Sequence, residues 1–151
     1  MDRERPPRRA DYPVLHEMPT RWLDNDIYGH VNNVNYYSFF DTAIANYLMA
    51  EGGLDPWHDQ VVAFCVESGC RFRQGIRYPD RITAGLRVAR LGRSSVRYEI
   101  GIFRGDELEA AADGHFVHVF VDRAEERSAP IPAAIRAALA RLMEAPERAS
   151  S

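Results

Sequence analysis

The chain changes hydrophobic period several times. Over residues 34–50 the pattern is helical, with Tyr36, Phe40, Ala43 and Tyr47 recurring at the three- and four-residue offsets of one face. Tyr37, Phe39, Ile44 and Leu48 make most of the remaining circumference apolar as well, and Gly52-Gly53 supplies a stop. A helix this apolar has to be wrapped by other structure. The flanking segments have the periods of strands. Residues 14–23 contain Val14, Met18 and Trp22, with Pro19 marking an edge or a bulge. Residues 61–66 form a continuous apolar run that predicts a central strand. Ile82, Ala84, Leu86 and Val88 alternate with Arg81, Thr83, Gly85 and Arg87, and Val96, Tyr98, Ile100 and Ile102 alternate with Ser95, Arg97 and Glu99. Residues 116–121 are apolar on both faces. Tyr78-Pro79-Asp80, Gly92-Arg93 and Gly105-Asp106 mark turns, which favours an antiparallel meander. Pro130 and Pro132 open a terminal helix with Ile131, Ile135, Leu139 and Leu142 on one face. The expected class is α+β: one long central helix wrapped by a curved antiparallel sheet of about five strands, with a C-terminal helix.

At 151 residues the chain has the size of one domain, placed at residues 12–145. Residues 1–11, charged and rich in proline, read as a disordered leader, and residues 146–151 as a flexible tail. The formal net charge of -3 argues against a nucleic-acid partner. Every one of the 19 basic residues is arginine, which excludes Schiff-base, pyridoxal-lysine and phosphate-loop lysine chemistry. Cys65 and Cys70 are too few for a structural zinc site. Their odd offset along one strand would point them to opposite faces, as two buried, reduced thiols. His16, His58, His115 and His118 show no metal-ligand spacing, and His115 and His118 would face opposite sides of one strand, so no metal is expected. No apolar run approaches the ~20 residues of a membrane span, and a cytoplasmic location is expected.

Candidate chemistry gathers just ahead of the long helix, where residues 21–36 concentrate ionisable and amide side chains. Asn32 or Asn33 suits the N-cap. Asp26 lies too far upstream to be the cap. Folded back over the helix start, its carboxylate would sit beside free backbone N–H groups and the positive end of the dipole. Acyl-thioester hydrolysis requires that pairing: N–H donors to hold a developing oxyanion, and a carboxylate to activate water or attack the carbonyl. His30 is the expected orienting partner, and Asp24 a supporting residue. Asp41, inside the helix, is expected to make a structural hydrogen bond. Glu67, at the end of an apolar run, is left outside the catalytic set.

The segment Asp26-x-x-Gly29-His30-Val31-Asn32-Asn33-x-x-Tyr36, followed by Phe39-Phe40-Asp41-x-Ala43, resembles the hotdog-fold acyl-CoA thioesterases of the 4-hydroxybenzoyl-CoA thioesterase type. The likeness runs on through Gly53-Leu54-Asp55-Pro56-Trp57, residues 91–96 and residues 129–132, and so spans residues 15–143. The resemblance implies that Asp26 is the catalytic nucleophile or general base. It also implies that the Asn33 N–H polarises the thioester carbonyl, with His30 beside them. Tyr28, Gly29, Asn32 and Tyr36 would contact the substrate, and Arg90, Arg93 and Ser94 the phosphates or pantetheine arm of CoA. Tyr36, Tyr37, Phe40 and Trp57 would line the acyl pocket. Related acyl-carrier-protein thioesterases carry asparagine where this chain has Tyr28, so acyl-CoA is the expected substrate. No cofactor is expected, CoA being part of the substrate. The free sheet edge implies a homodimer, or a tetramer of paired dimers. Two other readings of the same fold are a non-catalytic acyl-CoA binding or sensing module and an enoyl-thioester hydratase or dehydratase; no acid–base motif for the latter is present.

Overall fold

The computed structural model describes residues 5–143. Its main elements are β1 (Val14–Pro19), α1 (Asn33–Gly52), β2 (Val61–Phe72), β3 (Arg81–Leu91), β4 (Ser95–Arg104), β5 (Ala112–Asp122), β6 (Arg127–Ser128) and α2 (Ala133–Arg141). The strands form one antiparallel sheet in the order β1-β3-β4-β5-β2, with the two-residue β6 beside β5. Tyr36, Phe40, Ala43 and Ile44 of α1 share one core with Ile82, Ala84 and Leu86 of β3, Val96, Tyr98 and Ile100 of β4, and Phe116 and Phe120 of β5. Ile135 and Leu139 of α2 close the same core at the far end of α1. This is the wrapped-helix hotdog arrangement, and it explains why α1 is apolar around most of its circumference: sheet and α2 cover it from different sides.

Several local expectations change. The first strand stops at Pro19, paired with Arg81, and the chain continues through a short 3-10 turn at Trp22–Asp24. The run at residues 61–66 belongs not to a central strand but to β2, twelve residues long and bonded on one side only, to β5. Phe64 and Val66 are 57% and 61% exposed there. An apolar run signals burial on both faces only if other layers of structure cover both faces. A register shift between Cys65 and Glu67 also reverses the predicted facing of the cysteines. Cys65 pairs with His118 and Cys70 with Gly114, positions of even offset along β5, so both thiols face the helix side. Cys65 is exposed, Cys70 is half-buried, and both are free.

The expected leader is ordered from Arg5 onward among the described residues. Arg9 N–H donates to Leu108 O at 3.1 Å, and Ala110 N–H to Pro7 O at 2.8 Å. Tyr12 is buried on the convex face, where Gly85 and Gly101 lie opposite each other on β3 and β4. A Cβ at either glycine would come within 2.8 Å of the Tyr12 ring, so the bare backbone is the slot that receives it. Residues 1–4 and the expected tail at 146–151 lie outside the described residues.

Candidate functional site

Residues 24–33 form a tight loop that returns to the start of α1. Asp26 N–H donates to His30 O at 2.9 Å and Gly29 N–H to Asp26 O at 3.0 Å, with Gly29 at φ 79°. That left-handed conformation suits glycine because it has no Cβ. One carboxylate oxygen of half-buried Asp26 accepts the Tyr28 N–H at 2.8 Å, an Asx turn. The loop is anchored from below by Asp24, which is 0% exposed. Its carboxylate accepts from Arg21 N–H at 2.7 Å and from the Arg21 guanidinium at 2.9 and 3.1 Å. Its main-chain carbonyl accepts from Asn32 N–H at 2.8 Å and from Asn35 Nδ2 at 3.0 Å. Asp24 thus ties the Asp26 loop to the helix start.

The helix begins one residue earlier than the hydrophobic period predicted. Asn32 is the N-cap, its Oδ1 accepting Val34 N–H at 3.1 Å, and its carbonyl takes Asn35 N–H at 2.9 Å. Asn33 is the first helical residue, and its N–H donates to no group among the described residues. An N–H at that position points along the helix dipole to the place where an anion is stabilised.

The other predicted site residues fall into three sets. Tyr28 and Gly29 are exposed on the Asp26 loop, Tyr28 by 80%. His30 is exposed too, and its ring lies against the backbone of Gly75: a Cβ there would come within 2.7 Å of it. Tyr36 is buried, with its ring edge-on to Phe39 and Phe72, and burial pushes its phenol up to about 12. Its hydroxyl is therefore no general base near neutral pH. Phe40 is likewise core, whereas Trp57 is exposed beyond the far end of α1. Arg90, Arg93 and Ser94 stand at the β3–β4 turn, and the guanidinium groups of Arg90 and Arg93 have no ion pair among the described residues.

Within one chain these arginines do not meet Asp26. The start of β3 borders the loop, through Thr20 Oγ1 to Asp80 O at 2.6 Å and Tyr78 N–H to Asn25 Oδ1 at 3.0 Å. Arg90 and Arg93 lie at its other end, about 30 Å away for an eleven-residue strand. Asp41 also differs from expectation: it is exposed, and its carboxylate has no hydrogen-bond partner among the described residues. Glu67 faces the convex side, 2.9 Å from His115 Nε2. Unforeseen were Asn35, the third asparagine of the motif, which bonds the anchor, and Ile76, whose carbonyl takes Val31 N–H at 2.6 Å. Asn35 lies within the motif and could have been picked out from it; Gly75 and Ile76 could not, because only the fold brings them there. A cavity of about 550 Å³ opens between β1 and the C-terminal half of α1, lined by His16, Ala43, Asn46 and Met49. Ala43 is already about 15 Å along α1 from Asn33, so this cavity is separate from the Asp26 loop.

Comparison with known proteins agrees with this fold. The PA5185 protein of Pseudomonas aeruginosa strain PAO1 is 49% identical over 94% of this chain and 99% of its own, with a TM-score of 0.91. The PA2801 protein of Pseudomonas aeruginosa, a provisionally assigned thioesterase, is 30% identical over 84% of this chain and 98% of its own, with a TM-score of 0.79. The 1,4-dihydroxy-2-naphthoyl-CoA thioesterase of Synechocystis shares the fold at 17% identity, covering 83% of this chain and 94% of its own, with a TM-score of 0.76. No curated protein sequence matches. Residues 20–139 match the family model described as the thioesterase-like superfamily, and that span includes the Asp26 loop, α1, the arginine turn and most of α2. The chain belongs to the thioesterase-like superfamily.

Proposed function

We propose that the protein hydrolyses an acyl-CoA to the free acid and CoA, with Asp26 as general base or nucleophile and the Asn33 N–H as oxyanion donor. The observation that carries this reading is the unpartnered Asn33 N–H at the start of α1, with the Asp26 turn tied beside it through Asp24. In the general-base route, water adds to the thioester carbon as its proton passes to Asp26. The oxyanion is held by Asn33, and collapse breaks the C–S bond as the proton moves to the departing thiolate. In the nucleophilic route Asp26 forms an anhydride that water then opens. Gly29 gives the turn its reversal, Asn32 sets the helix start, and His30 and Tyr28 border the approaching thioester.

The same reading takes a dimer as the working unit, with β2 of one copy antiparallel to β2 of another. Three features support it: the open twelve-residue edge, the exposed Phe64 and Val66, and the separation of Asp26 from Arg90, Arg93 and Ser94. A two-fold axis at the middle of β2 reverses the second copy, carrying its arginine turn toward the end that holds Asp26. Guanidinium groups there suit the phosphates of CoA.

The test is thiol release from aliphatic and aromatic acyl-CoAs by the wild type and Asp26→Asn. Undiminished turnover in the variant refutes the assigned mechanism. Tight acyl-CoA binding with no turnover by the wild type points instead to a binding module. For the dimer, Val66→Lys on the β2 edge is expected to give a monomer in light scattering with kcat/KM at least tenfold lower; a monomeric wild type of full activity rules the dimer out.

A further inference from the structure

Large apolar side chains are left uncovered at both ends of β2. Before its start, Trp57 is 75% exposed. The turn that carries it is firmly built: Trp57 N–H donates to Asp55 Oδ1 at 3.1 Å, and Arg123 donates to Trp57 O at 3.2 Å and to Pro56 O at 2.6 Å. These bonds use only the main chain of residues 56 and 57, so the turn does not depend on the indole. At the other end, Ile27 and Tyr28 on the Asp26 loop are exposed, as is Val34 in the first turn of α1, by 71%. Exposed apolar groups gathered in this way mark a contact surface. Within one chain the two groups cannot cover each other, because the length of β2 separates them, roughly 35 Å for twelve residues.

Both groups lie on the helix side of the sheet. Phe72 closes β2 with its ring edge-on to Tyr36 of α1 at 5.0 Å, and Ile76 O takes the N–H of Val31 on the Asp26 loop. Residues 53–60 run from the last turn of α1 to the start of β2, where Leu54, Val61 and Ala63 pack on the helix-side core. Pairing β2 with its copy as one continuous antiparallel sheet sets the two-fold axis perpendicular to the sheet. The helix faces of both copies then stay on the same side. With the axis at the midpoint of β2, between Val66 and Glu67, Val61 of the partner subunit stands opposite Phe72. The partner's Trp57 turn, continuing beyond Val61, falls beside Gly75 and Ile76, the residues that support His30 and Val31.

We infer that Trp57 of the partner subunit completes the Asp26 site, its indole covering Tyr28 and Val34 and walling the bound thioester from solvent. Each dimer then has two sites, and each takes Asp26 and Asn33 from one copy and Trp57 from the other. The inference rests on the thioesterase and dimer readings above. It gives the exposed groups at the two ends of β2 a common cover, because a two-fold axis makes the same contact twice. An indole there also keeps water from competing for the Asn33 N–H, and an oxyanion hydrogen bond is worth more where water is excluded.

The test is complementation between subunits. The Asp26→Asn and Trp57→Ala homodimers are each expected to lose tenfold or more in kcat/KM on octanoyl-CoA. Because the turn is held through its main chain, Trp57→Ala should keep the wild-type melting temperature. In a heterodimer of the two variants, purified through two different tags, one site has both Asp26 and Trp57 and the other has neither. Its activity is expected to return to about half that of the wild type. If Trp57 served the Asp26 of its own chain, the heterodimer would have at most half the activity of the Trp57→Ala homodimer, and that result overturns the inference. Full activity of the Trp57→Ala homodimer overturns it too, and both results leave the thioesterase reading intact. A second readout needs no turnover. With Trp22→Phe and Asp26→Asn, Trp57 is the single indole. Its emission is expected at shorter wavelength than in the same chain made monomeric by Val66→Lys, and to change when octanoyl-CoA is added. Both changes without hydrolysis by the wild type sustain the inference and refute the hydrolytic reading. Emission the same in dimer and monomer, or indifferent to octanoyl-CoA, overturns the inference.

Discussion

The two ends of α1 are finished in opposite ways. At the C-terminal end Gly53 adopts φ 68°, and the N–H groups of Gly53 and Leu54 both return to Leu48 O. Gly52 packs on Ile135, where a Cβ would come within 3.3 Å of its side chain, and Tyr47 Oη donates to Ala138 O at 2.6 Å. That end is closed by a glycine cap and by α2. At the N-terminal end Asn32 caps Val34 and takes Asn35, Asp24 anchors the loop, and the Asn33 N–H alone is left over. Both ends belong to one helix with the same need for terminal partners. The closed end therefore tells what a purely structural terminus costs to disturb, and the open end leaves the N–H donor that the proposed reaction would use.

The largest way to break this contrast is Asp26→Asn. Asparagine keeps an oxygen acceptor for the Tyr28 N–H, so the Asx turn survives while the charge and basicity are lost. The expected outcome is a fall in kcat/KM of about 10²–10⁴, the range of a lost general base. The melting temperature, by calorimetry, should stay within about 2 °C, a shift of no more than about 1 kcal/mol. A large drop in melting temperature would mean that Asp26 is a structural part of the loop, and the open end would then be no more functional than the closed one.

This contrast was legible in the amino-acid pattern to differing degrees. The density of apolar positions after residue 34 and the asparagines before it located α1 within a residue at its start, and with it the loop bearing Asp26. These are local signals, read from spacing and capping chemistry. What stayed hidden depends on contacts distant in sequence. The apolar run at residues 61–66 does not say whether strands flank it on one side or both. The register shift after Cys65 leaves no mark in composition, yet it turns Cys70 to the helix side. Gly85 and Gly101 become a slot for Tyr12 only once β3 and β4 are in register. In the candidate site the Asp26 turn could be read, whereas the distance to Arg90 and Arg93 could not, because strand direction decides it.

Between the two ends, the core packed against the helix responds to pH through His118 of β5. Burial lowers its pKa in the folded chain below the ordinary value of about 6.5. Above that value both folded and unfolded chains carry a neutral ring, and the group costs no stability. As pH falls through about 6.5, the unfolded chain binds a proton that the folded chain refuses, so stability is lost with falling pH. The loss levels off below the folded pKa. One proton sets a limit of about 1.4 kcal/mol per pH unit, and Asp41 moderates it. Urea unfolding between about pH 7.5 and 5.5 should therefore show a shallower loss for His118→Phe than for the wild type. Parallel pH profiles would remove His118 from the account.

The smallest effects sharpen the comparison most, because they separate stability from activity at the two ends. Gly53→Ala places a Cβ at positive φ and is expected to cost about 1–2 kcal/mol in urea unfolding, with kcat/KM unchanged. Asn32→Ala removes the cap on Val34 and is expected to cost about 1 kcal/mol, comparable to or less than the loss at the other end. Its effect on turnover should be different in kind. Without Oδ1 to fix the first turn, the Asn33 N–H loses its aim, and kcat should fall about tenfold while KM moves little, the sign of an interaction made in the transition state. Asn32→Asp keeps the capping oxygen and should restore most of the stability. It also sets a second negative charge beside the oxyanion position, so kcat should stay low. If Asn32→Ala and Gly53→Ala lowered stability alike and both left kcat untouched, the two termini would be equivalent structural caps, and the unpartnered Asn33 N–H would have no part in the reaction.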